Sequence, residues 1–143
     1  MFINNKTYYS LFLADILKKD LANFPELFLL NLIRQMLHDG VIDEQKIPLI
    51  KNVIGAITLA RTNNDKKAIG TMNEFIYQFK VGCNWKYGGF YNIDLAELNA
   101  SINDTLVGAG GDGKRNYGRP IRDMKLLVDS VSTDTLHLII HEI

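Results

Sequence analysis

One glycine-rich stretch, Gly108–Arg115 (GAGGDGKR), has residue types and a spacing that could hold a phosphate group. Its glycines fit the pattern G-x-G-x-x-G, and together with Lys114 they fit G-x-x-x-x-G-K, the two patterns of nucleotide-phosphate loops. Glycine lets backbone N–H groups approach an anion closely because it has no side chain in the way. The first question is therefore whether this stretch is a nucleotide site or a flexible loop.

The surroundings of the stretch argue against hydrolysis of a nucleoside triphosphate. A phosphate loop joins a buried strand to a helix, and its lysine is followed by Ser or Thr, which holds magnesium. Here Arg115 follows Lys114, the preceding residues are typical of a helix and a turn, and the next helix is predicted to begin only at Pro120. The dinucleotide fingerprint fails for the same reason, because it also needs a strand–turn–helix unit.

Two interpretations of this region remain open. Its four cations within nine residues could bind a phosphate group without hydrolysing it, aided by the positive end of the helix predicted at Pro120. Equally, they could be solvated charges that Asp112 and Asp123 balance. The cations are Lys114, Arg115, Arg119 and Arg122.

A second polar stretch, RTNNDKK at residues 61–67, carries groups that can recognise a base or a ribose. An arginine can grip a phosphate or carboxylate with two hydrogen bonds, and adjacent amides can bond the edge of a base. The alternative is a turn whose asparagines bond their own backbone. The ligand-binding candidates from this region are Arg61, Thr62, Asn63, Asn64 and the following Asn73.

Aromatic residues beside glycines form the third candidate region, GCNWKYGGFYN at residues 82–92. Aromatic rings on a glycine-rich loop can stack on a base or a sugar, and Trp85 and Phe90 are the candidates for this role. The alternative is that these rings cover the core from outside.

No catalytic or metal-binding pattern accompanies these candidates. His38, His137 and His141 are the three histidines, and the last two would lie about 13 Å apart on a strand, too far for one metal ion. All three are interpreted as surface histidines. The chain has neither G-x-S-x-G nor H-E-x-x-H. We therefore expect no catalytic residue, no metal and no cofactor, and an enzyme acting on nucleotides is the last of the hypotheses.

Length and composition limit the classes of function. The chain has 143 residues with 16 basic and 16 acidic side chains, which suits one domain and gives no general attraction to nucleic acid or to anionic membranes. Cys83 is the only cysteine, which excludes an intrachain disulfide and favours a cytoplasmic location. We expect no signal peptide, and the apolar runs are far shorter than the ~20 residues of a membrane span.

The helices and strands predicted from the sequence indicate an α+β protein that forms a single compact domain over residues 1–143. A small sheet of about three to four strands is expected to pack with about five helices, because strands and helices alternate only loosely. The first helix is apolar around much of its girth, so we expect it to be central or a subunit contact. Helices are predicted at about 24–39, 43–54, 71–81, 94–102 and 120–130, and strands at 7–13, extended by Phe2 and Ile3, at 56–60 and at 135–143. The third helix is predicted to start at Thr71 because Thr71 and Glu74 fit the capping-box pattern.

The stretch ARTNNDKKAIGTMNEFIYQFK resembles the core of a bacterial and phage family catalogued as a domain of unknown function. Its pattern has a K/R-TNN-x(5)-G-[ST]-M-N core and a later D-L-x-E-L-N segment, and the similarity extends over about residues 2–128. The matching residues are Thr62, Asn63, Asn64, Gly70, Met72 and Asn73, then Asp94, Leu95, Glu97, Leu98 and Asn99. The resemblance gives no activity to carry over to this chain. The chain lacks the family's additional N-terminal strand sequence, and the Gly108–Lys114 insert and the tail lie outside the pattern.

These observations predict a non-catalytic binding protein, a phage or mobile-element product that sequesters a small anionic nucleotide-type signal and so counters a host defence. In this hypothesis Arg61, Asn63 and Asn64 recognise the base or ribose, the cations at 115, 119 and 122 hold phosphate, and Trp85 or Phe90 stacks. The alternative is a protein-interaction inhibitor, anti-CRISPR or antitoxin-like, that contacts a host defence protein through the apolar helix or an edge strand. A homo-oligomer is expected because the apolar helix is difficult to cover in a small monomer.

Overall fold

The computed structural model describes residues 1–57, 64–109 and 116–131. The described residues contain five α-helices and four short strands. The helices are α1 (Phe24–His38), α2 (Ile47–Ile54), α3 (Lys66–Trp85), α4 (Leu95–Asn103) and α5 (Pro120–Ser130). The strands are β1 (Phe2–Ile3), β2 (Ser10–Leu11), β3 (Val107–Ala109) and β4 (Asn116–Gly118), and 3-10 turns occupy Lys18–Asn23, Glu44–Lys46 and Phe90–Asn92.

The described strands form two separate antiparallel pairs. In the first pair, β1 lies beside β2 with Phe2 opposite Leu11. In the second, β3 lies beside β4 with Val107 opposite Gly118. The α+β class is confirmed, whereas a single sheet of three to four strands is not. Residues 110–115, which include most of the glycine-rich stretch, lie outside the described residues, but β3 directly precedes them where the sequence predicted only a helix and a turn.

The N-terminal segment contains a turn that the sequence did not predict. Tyr8 has a φ of 59°, in the left-handed region, so the expected strand at 7–13 is wrong except at Ser10–Leu11. The Asn4 side chain stabilises the turn by accepting hydrogen bonds from the backbone N–H groups of Lys6 and Thr7, both at 3.0 Å. Phe2 and Ile3 consequently form a partner strand for β2 and do not extend it.

Four predicted helices begin close to where local signals placed them. Pro25 lies in the first turn of α1, and Gly40 with a φ of 69° follows its end. Asp43 Oδ1 accepts a hydrogen bond from Lys46 N at 3.1 Å, although it caps a 3-10 turn that precedes α2. Asp94 Oδ1 caps α4 in the same way through Glu97 N at 3.1 Å. A proline likewise opens α5.

The predicted start of the third helix is wrong. Asp65 caps α3, because its Oδ1 accepts hydrogen bonds from Lys67 N and Ala68 N, each at 3.1 Å. Thr71, the expected cap, lies inside the helix, and α3 ends at Trp85 and not near Val81. The expected strand at 56–60 lies largely outside the described residues; of its described part, neither 56 nor 57 is in a strand. The expected tail strand at 135–143 also lies outside them.

Two hydrophobic clusters form the core, and residues 8–12 contribute side chains to both. Tyr9 and Leu11 belong to the first cluster, whereas Tyr8 and Phe12 belong to the second; from Tyr9 to Phe12 this follows the alternation of side chains along an extended chain. The first cluster also contains Leu32, Ile33, Met36, Val41, Ile42, Ile50 and Val128. The second also contains Ala68, Phe75, Cys83, Leu98, Ile102 and Val107, so it joins α3 to α4.

Candidate functional site

Five of the eleven predicted ligand-binding residues lie outside the described part of the chain, so their convergence stays a prediction. They are Arg61, Thr62, Asn63, Lys114 and Arg115. Asn64 has a φ of 57° and is exposed, and Asn73 is exposed on α3. The remaining four, two arginines and two aromatic residues, have contacts that bear on their proposed roles.

Both described arginines of the predicted phosphate site are joined to carboxylates. Arg119 Nη1 lies 3.0 Å from Asp104 Oδ1 and also donates to the Asp104 carbonyl oxygen at 2.5 Å. Because Asp104 caps the C-terminal end of α4, this cation lies at the negative end of the helix dipole. Arg122 Nη2 lies 3.2 Å from Asp123 Oδ1. Arg119 therefore ties the start of α5 to the end of α4.

Trp85 and Phe90 are exposed, as a stacking role requires. The exposed fraction is 87% for Trp85 and 61% for Phe90. Gly88 and Gly89, with φ of 68° and 133°, reverse the chain between them. The Phe90 ring lies 6.3 Å from that of Phe79, whose ring stacks on a core phenylalanine, so Phe90 continues an aromatic path from the core to the surface.

A cavity of about 280 Å³ lies between α3 and α4, and we call it the α3–α4 cavity. Its lining residues are Tyr77, Gln78, Val81, Gly82, Lys86, Leu98, Ser101 and Ile102. Tyr77 is 65% exposed, whereas Leu98 and Ile102 are buried and form an apolar floor. Trp85 lies one helical turn beyond Val81, on the same side of α3, so its ring is a neighbour of the cavity and not part of its lining.

Close contact of the two helices shapes this cavity. A Cβ atom at Gly82 would lie 2.7 Å from Leu98 Cδ1, which is closer than non-bonded carbon atoms approach. Glycine at this position therefore allows the Leu98 side chain to lie directly against α3. Gln78 Oε1 accepts a hydrogen bond from Thr105 Oγ1 at 3.1 Å, which fixes the orientation of the Gln78 amide at the cavity wall.

Lys86 is the single charged residue in the lining of the α3–α4 cavity. Its Nζ lies 5.4 Å from the centroid of the Tyr87 ring, a cation–π distance. Within the described ranges Lys86 forms no ion pair with a carboxylate. The charge of this cavity is therefore positive, and it suits an anionic group.

A second cavity of about 340 Å³ adjoins the first one, since Lys86 and Ser101 line both; we call it the His38 cavity. Its other lining residues are His38, Asp39, Glu97, Ala100, Asp104 and Ile121. The α3–α4 cavity has an apolar floor, whereas three carboxylates line the His38 cavity. The two cavities together therefore offer an apolar half and a polar half.

A hydrogen-bond network forms the wall of the His38 cavity. The Asp39 carboxylate, whose exposed fraction is 0%, accepts from Tyr9 Oη at 2.5 Å and from Gln35 Nε2 at 2.9 Å. The two ring nitrogens of His38 lie 3.1 Å from Asp39 Oδ1 and 3.0 Å from Glu97 Oε1. The bond to Asp39, reinforced by Glu97, raises the pKa of His38 above its usual range. Burial and Asp39 raise the pKa of Tyr9.

This network supports a charged imidazolium more readily than a free catalytic base. An imidazole with both nitrogens bonded to carboxylates donates two hydrogen bonds, which only the protonated ring can do. His38 was predicted to be a surface histidine, and its bonds to Asp39 and Glu97 were not predicted. The contacts among Gln35, His38 and Asp39 could have been predicted, because these residues lie at the same end of one helix. The contact with Glu97 could not, because Glu97 is distant in sequence.

Residues 1–57, 64–109 and 116–131 contain no group of three or more His, Cys, Asp or Glu side chains placed to hold a metal ion. None of the helices in these ranges has the length and apolar character needed to cross a membrane.

Comparison with known proteins identifies the family. Neither the curated proteins nor the solved structures gave a significant match. A protein-family profile described as Domain of unknown function (DUF6933) matches residues 1–123, a range that includes every residue lining the α3–α4 and His38 cavities. Because this match covers far more than half of the 143 residues, the chain belongs to the DUF6933 family.

Proposed function

We propose that this protein is a non-catalytic binding protein whose α3–α4 cavity takes a small, planar, anionic ligand of the nucleotide type. One observation carries the proposal. Tyr77, an exposed aromatic ring, and Lys86, a cation without a carboxylate partner in the described ranges, line the same cavity, and its other lining residues are uncharged. An aromatic ring beside a cation matches the base and the phosphate of a nucleotide.

Each lining group has a role in this proposal. A base stacked on the Tyr77 ring would gain about 1–3 kcal/mol, a range known for base–aromatic stacking. The apolar floor of Leu98 and Ile102 would contact the other face of the base. The Gln78 amide would bond a base edge, and Lys86 would hold the phosphate as a point charge.

Sequestration of a nucleotide-type signal, by a phage or mobile element against a host defence, is the wider form of this proposal. A protein in that role lowers the concentration of the free signal and releases it unchanged. Ligand recovered intact by mass spectrometry after denaturing the complex would support binding without turnover. Recovery of a cleaved product would contradict the non-catalytic part of the proposal.

Thermal unfolding in the presence of a panel of mononucleotides and cyclic mononucleotides tests the proposal. A bound ligand at 100 times its Kd adds about 2.7 kcal/mol, which should raise Tm by roughly 5–10 °C in a chain of this size. The variants Lys86→Met and Tyr77→Ala should each lose most of the shift. Lys80→Met is the matched control, because Lys80 is exposed on the same helix and lines neither cavity.

Two outcomes would contradict the proposal. One is the absence of a Tm shift with every member of the panel. The other is an equal loss of binding in Lys80→Met and Lys86→Met, because binding would then depend on the overall charge of α3 and not on the cavity.

The second candidate function is a protein-interaction inhibitor, and one observation favours it. Leu17, Leu21 and Leu30 are 55%, 56% and 47% exposed, and the 3-10 turn that contains Leu21 packs against α1. Exposed apolar side chains on adjacent elements suit a protein contact. Most of the apolar face of α1 is covered, because Leu32, Ile33 and Met36 belong to the first cluster.

Pull-down and light scattering separate this candidate from ligand binding. A stoichiometric partner, such as a host defence protein, should be lost in Leu30→Asp while the circular dichroism spectrum stays native. Self-association through the same surface should also be lost in Leu30→Asp and give a monomer. A wild-type monomer that recovers no partner would contradict this second candidate.

A further inference from the structure

We infer that the preferred ligand consists of two nucleosides joined by one phosphate, and that the His38 cavity binds a guanine-like base that donates hydrogen bonds. This inference rests on the proposed function and names its ligand class as a guanine-containing dinucleotide. The two cavities and the residues between them carry it.

The first step is that the two cavities share a rim. Lys86 and Ser101 line both, so a ligand bound in one cavity meets the other at these two side chains. The volumes of about 280 and 340 Å³ lie just below and just above the lower limit of ligand sites, which span roughly 300–1,000 Å³. A two-part molecule would fill both cavities and place its linking group beside Lys86.

The second step is the number of phosphates. Three carboxylates, Asp39, Glu97 and Asp104, line the His38 cavity together with Lys86 and His38. His38 and Arg119 are already bonded to these carboxylates, so a terminal diphosphate or triphosphate extending past Lys86 would meet the Glu97 carboxylate with no further cation in the described lining to hold it, which raises the cost of binding. One phosphodiester held at the rim by Lys86 avoids this repulsion. The charge distribution therefore favours a linking phosphate over a polyphosphate chain.

The third step is the type of ring. Glu97 is bonded to His38 through Oε1, and its side chain is 56% exposed, so Oε2 can accept hydrogen bonds from a ligand. Asp104, the residue that follows α4, is 61% exposed but its Oδ1 is paired with Arg119 Nη1 at 3.0 Å, so Glu97 is the carboxylate that remains for the ring. Carboxylates only accept hydrogen bonds, and two adjacent N–H donors satisfy them best. The Watson–Crick edge of guanine has two adjacent donors, whereas that of adenine has one.

Isothermal titration calorimetry with AMP, ApA and ApG tests the inference. We expect ApG to bind at least 10-fold more tightly than either AMP or ApA. Glu97→Gln should reduce the affinity for ApG to that for ApA and leave the affinity for AMP unchanged. Glu26→Gln, which alters an exposed glutamate of α1 that lines neither cavity, should change none of the three affinities.

The possible failures are distinguishable. If AMP binds and loses affinity in Lys86→Met, but ApG binds no more tightly than AMP, the inference is wrong and the proposed function stands. If ApG binds more tightly but Glu97→Gln and Glu26→Gln retain the whole advantage, the second ring does not lie in the His38 cavity. If none of the three compounds binds and the mononucleotide panel also fails, the proposed function is wrong.

Discussion

Ser10 and Asn103 exchange two hydrogen bonds: Ser10 N donates to Asn103 Oδ1 at 2.7 Å, and Asn103 Nδ2 donates to the Ser10 carbonyl oxygen at 2.8 Å. The side-chain amide thus replaces the backbone of a neighbouring strand. Asn99 repeats this arrangement with Phe12, at 2.8 and 3.2 Å. Residues four apart on a helix are separated by about 6 Å, and residues two apart on a strand by about 6.6 Å, so the two spacings match.

Replacing Asn103 with alanine should strongly destabilise the fold. Asn103 is fully buried, and its loss leaves the N–H and C=O groups of Ser10 without partners, at about 1–3 kcal/mol each. We expect the free energy of unfolding to fall by about 2–5 kcal/mol, measured by urea denaturation. Asn84→Ala, at an exposed position of α3, is the control and should change it by less than about 0.5 kcal/mol.

The hydrogen-bond origin of this effect has its own test. Asn103→Leu keeps a similar volume but has no polar atom, so it should be as destabilising as alanine if the hydrogen bonds matter more than packing. A free energy of unfolding in Asn103→Leu close to that of the wild type would show that α4 is held by packing alone.

Prolines and capping residues in the sequence correctly predicted the helix starts that depend only on residues nearby in the chain. Pro25, Asp94 and Pro120 each mark a helix start because a proline or a capping carboxylate acts within one turn. At α3 two signals competed, the Thr71–Glu74 box and the Asp65 cap. The earlier start buries Ala68 in the second cluster, and this tertiary gain is not visible in the local pattern.

None of the described residues that the sequence predicted to bind a ligand lines either cavity, for the same reason. Trp85 and Phe90 are exposed, but the sequence left open whether these rings stack on a ligand or cover the core from outside. The two cavities depend on the contact of α3 with α4 and on His38 meeting Glu97, 59 residues away along the chain. Such contacts arise from packing, so Tyr77, Lys86, His38 and Glu97 were not predicted as one site.

Two glycines of α3 should respond in opposite ways to alanine. At Gly70 an added Cβ meets nothing within 4 Å, so Gly70→Ala should stabilise the protein by about 1 kcal/mol through helix propensity. At Gly82 the same gain is offset by overpacking against Leu98, which costs about 1–3 kcal/mol. We expect Gly82→Ala to lower the free energy of unfolding by up to about 2 kcal/mol. Equal stabilisation by both variants would mean that Leu98 relaxes freely.

Stability should depend on the charge of His38. Its pKa is raised in the folded protein, chiefly by Asp39 and then by Glu97, so the folded state holds the proton more tightly than the unfolded state does. The stabilising contribution is therefore complete below the unfolded pKa of about 6.5 and is lost as pH rises through the folded pKa. Because the side chain is 34% exposed, we expect less than about 1 kcal/mol.

The variant that isolates this effect is Glu97→Gln. It removes one of the two carboxylates that contact the His38 ring, so the His38 pKa should fall in an NMR titration. The free energy of unfolding should fall less between pH 6 and pH 8 in Glu97→Gln than it does in the wild type. An unchanged His38 pKa in Glu97→Gln would show that Asp39 alone sets it.

Cys83 should report the opening of the cluster between α3 and α4. It is the only cysteine in the chain, its exposed fraction is 0%, and burial raises the pKa of its thiol. Since the thiolate is the reactive form, a disulfide reagent should label it slowly in the native protein and rapidly in urea. The labelling rate should rise in Asn103→Ala. A ligand at 100 times its Kd should slow labelling by up to about 100-fold if the opened state does not bind it. Rapid labelling of the native wild type would contradict the burial of this thiol.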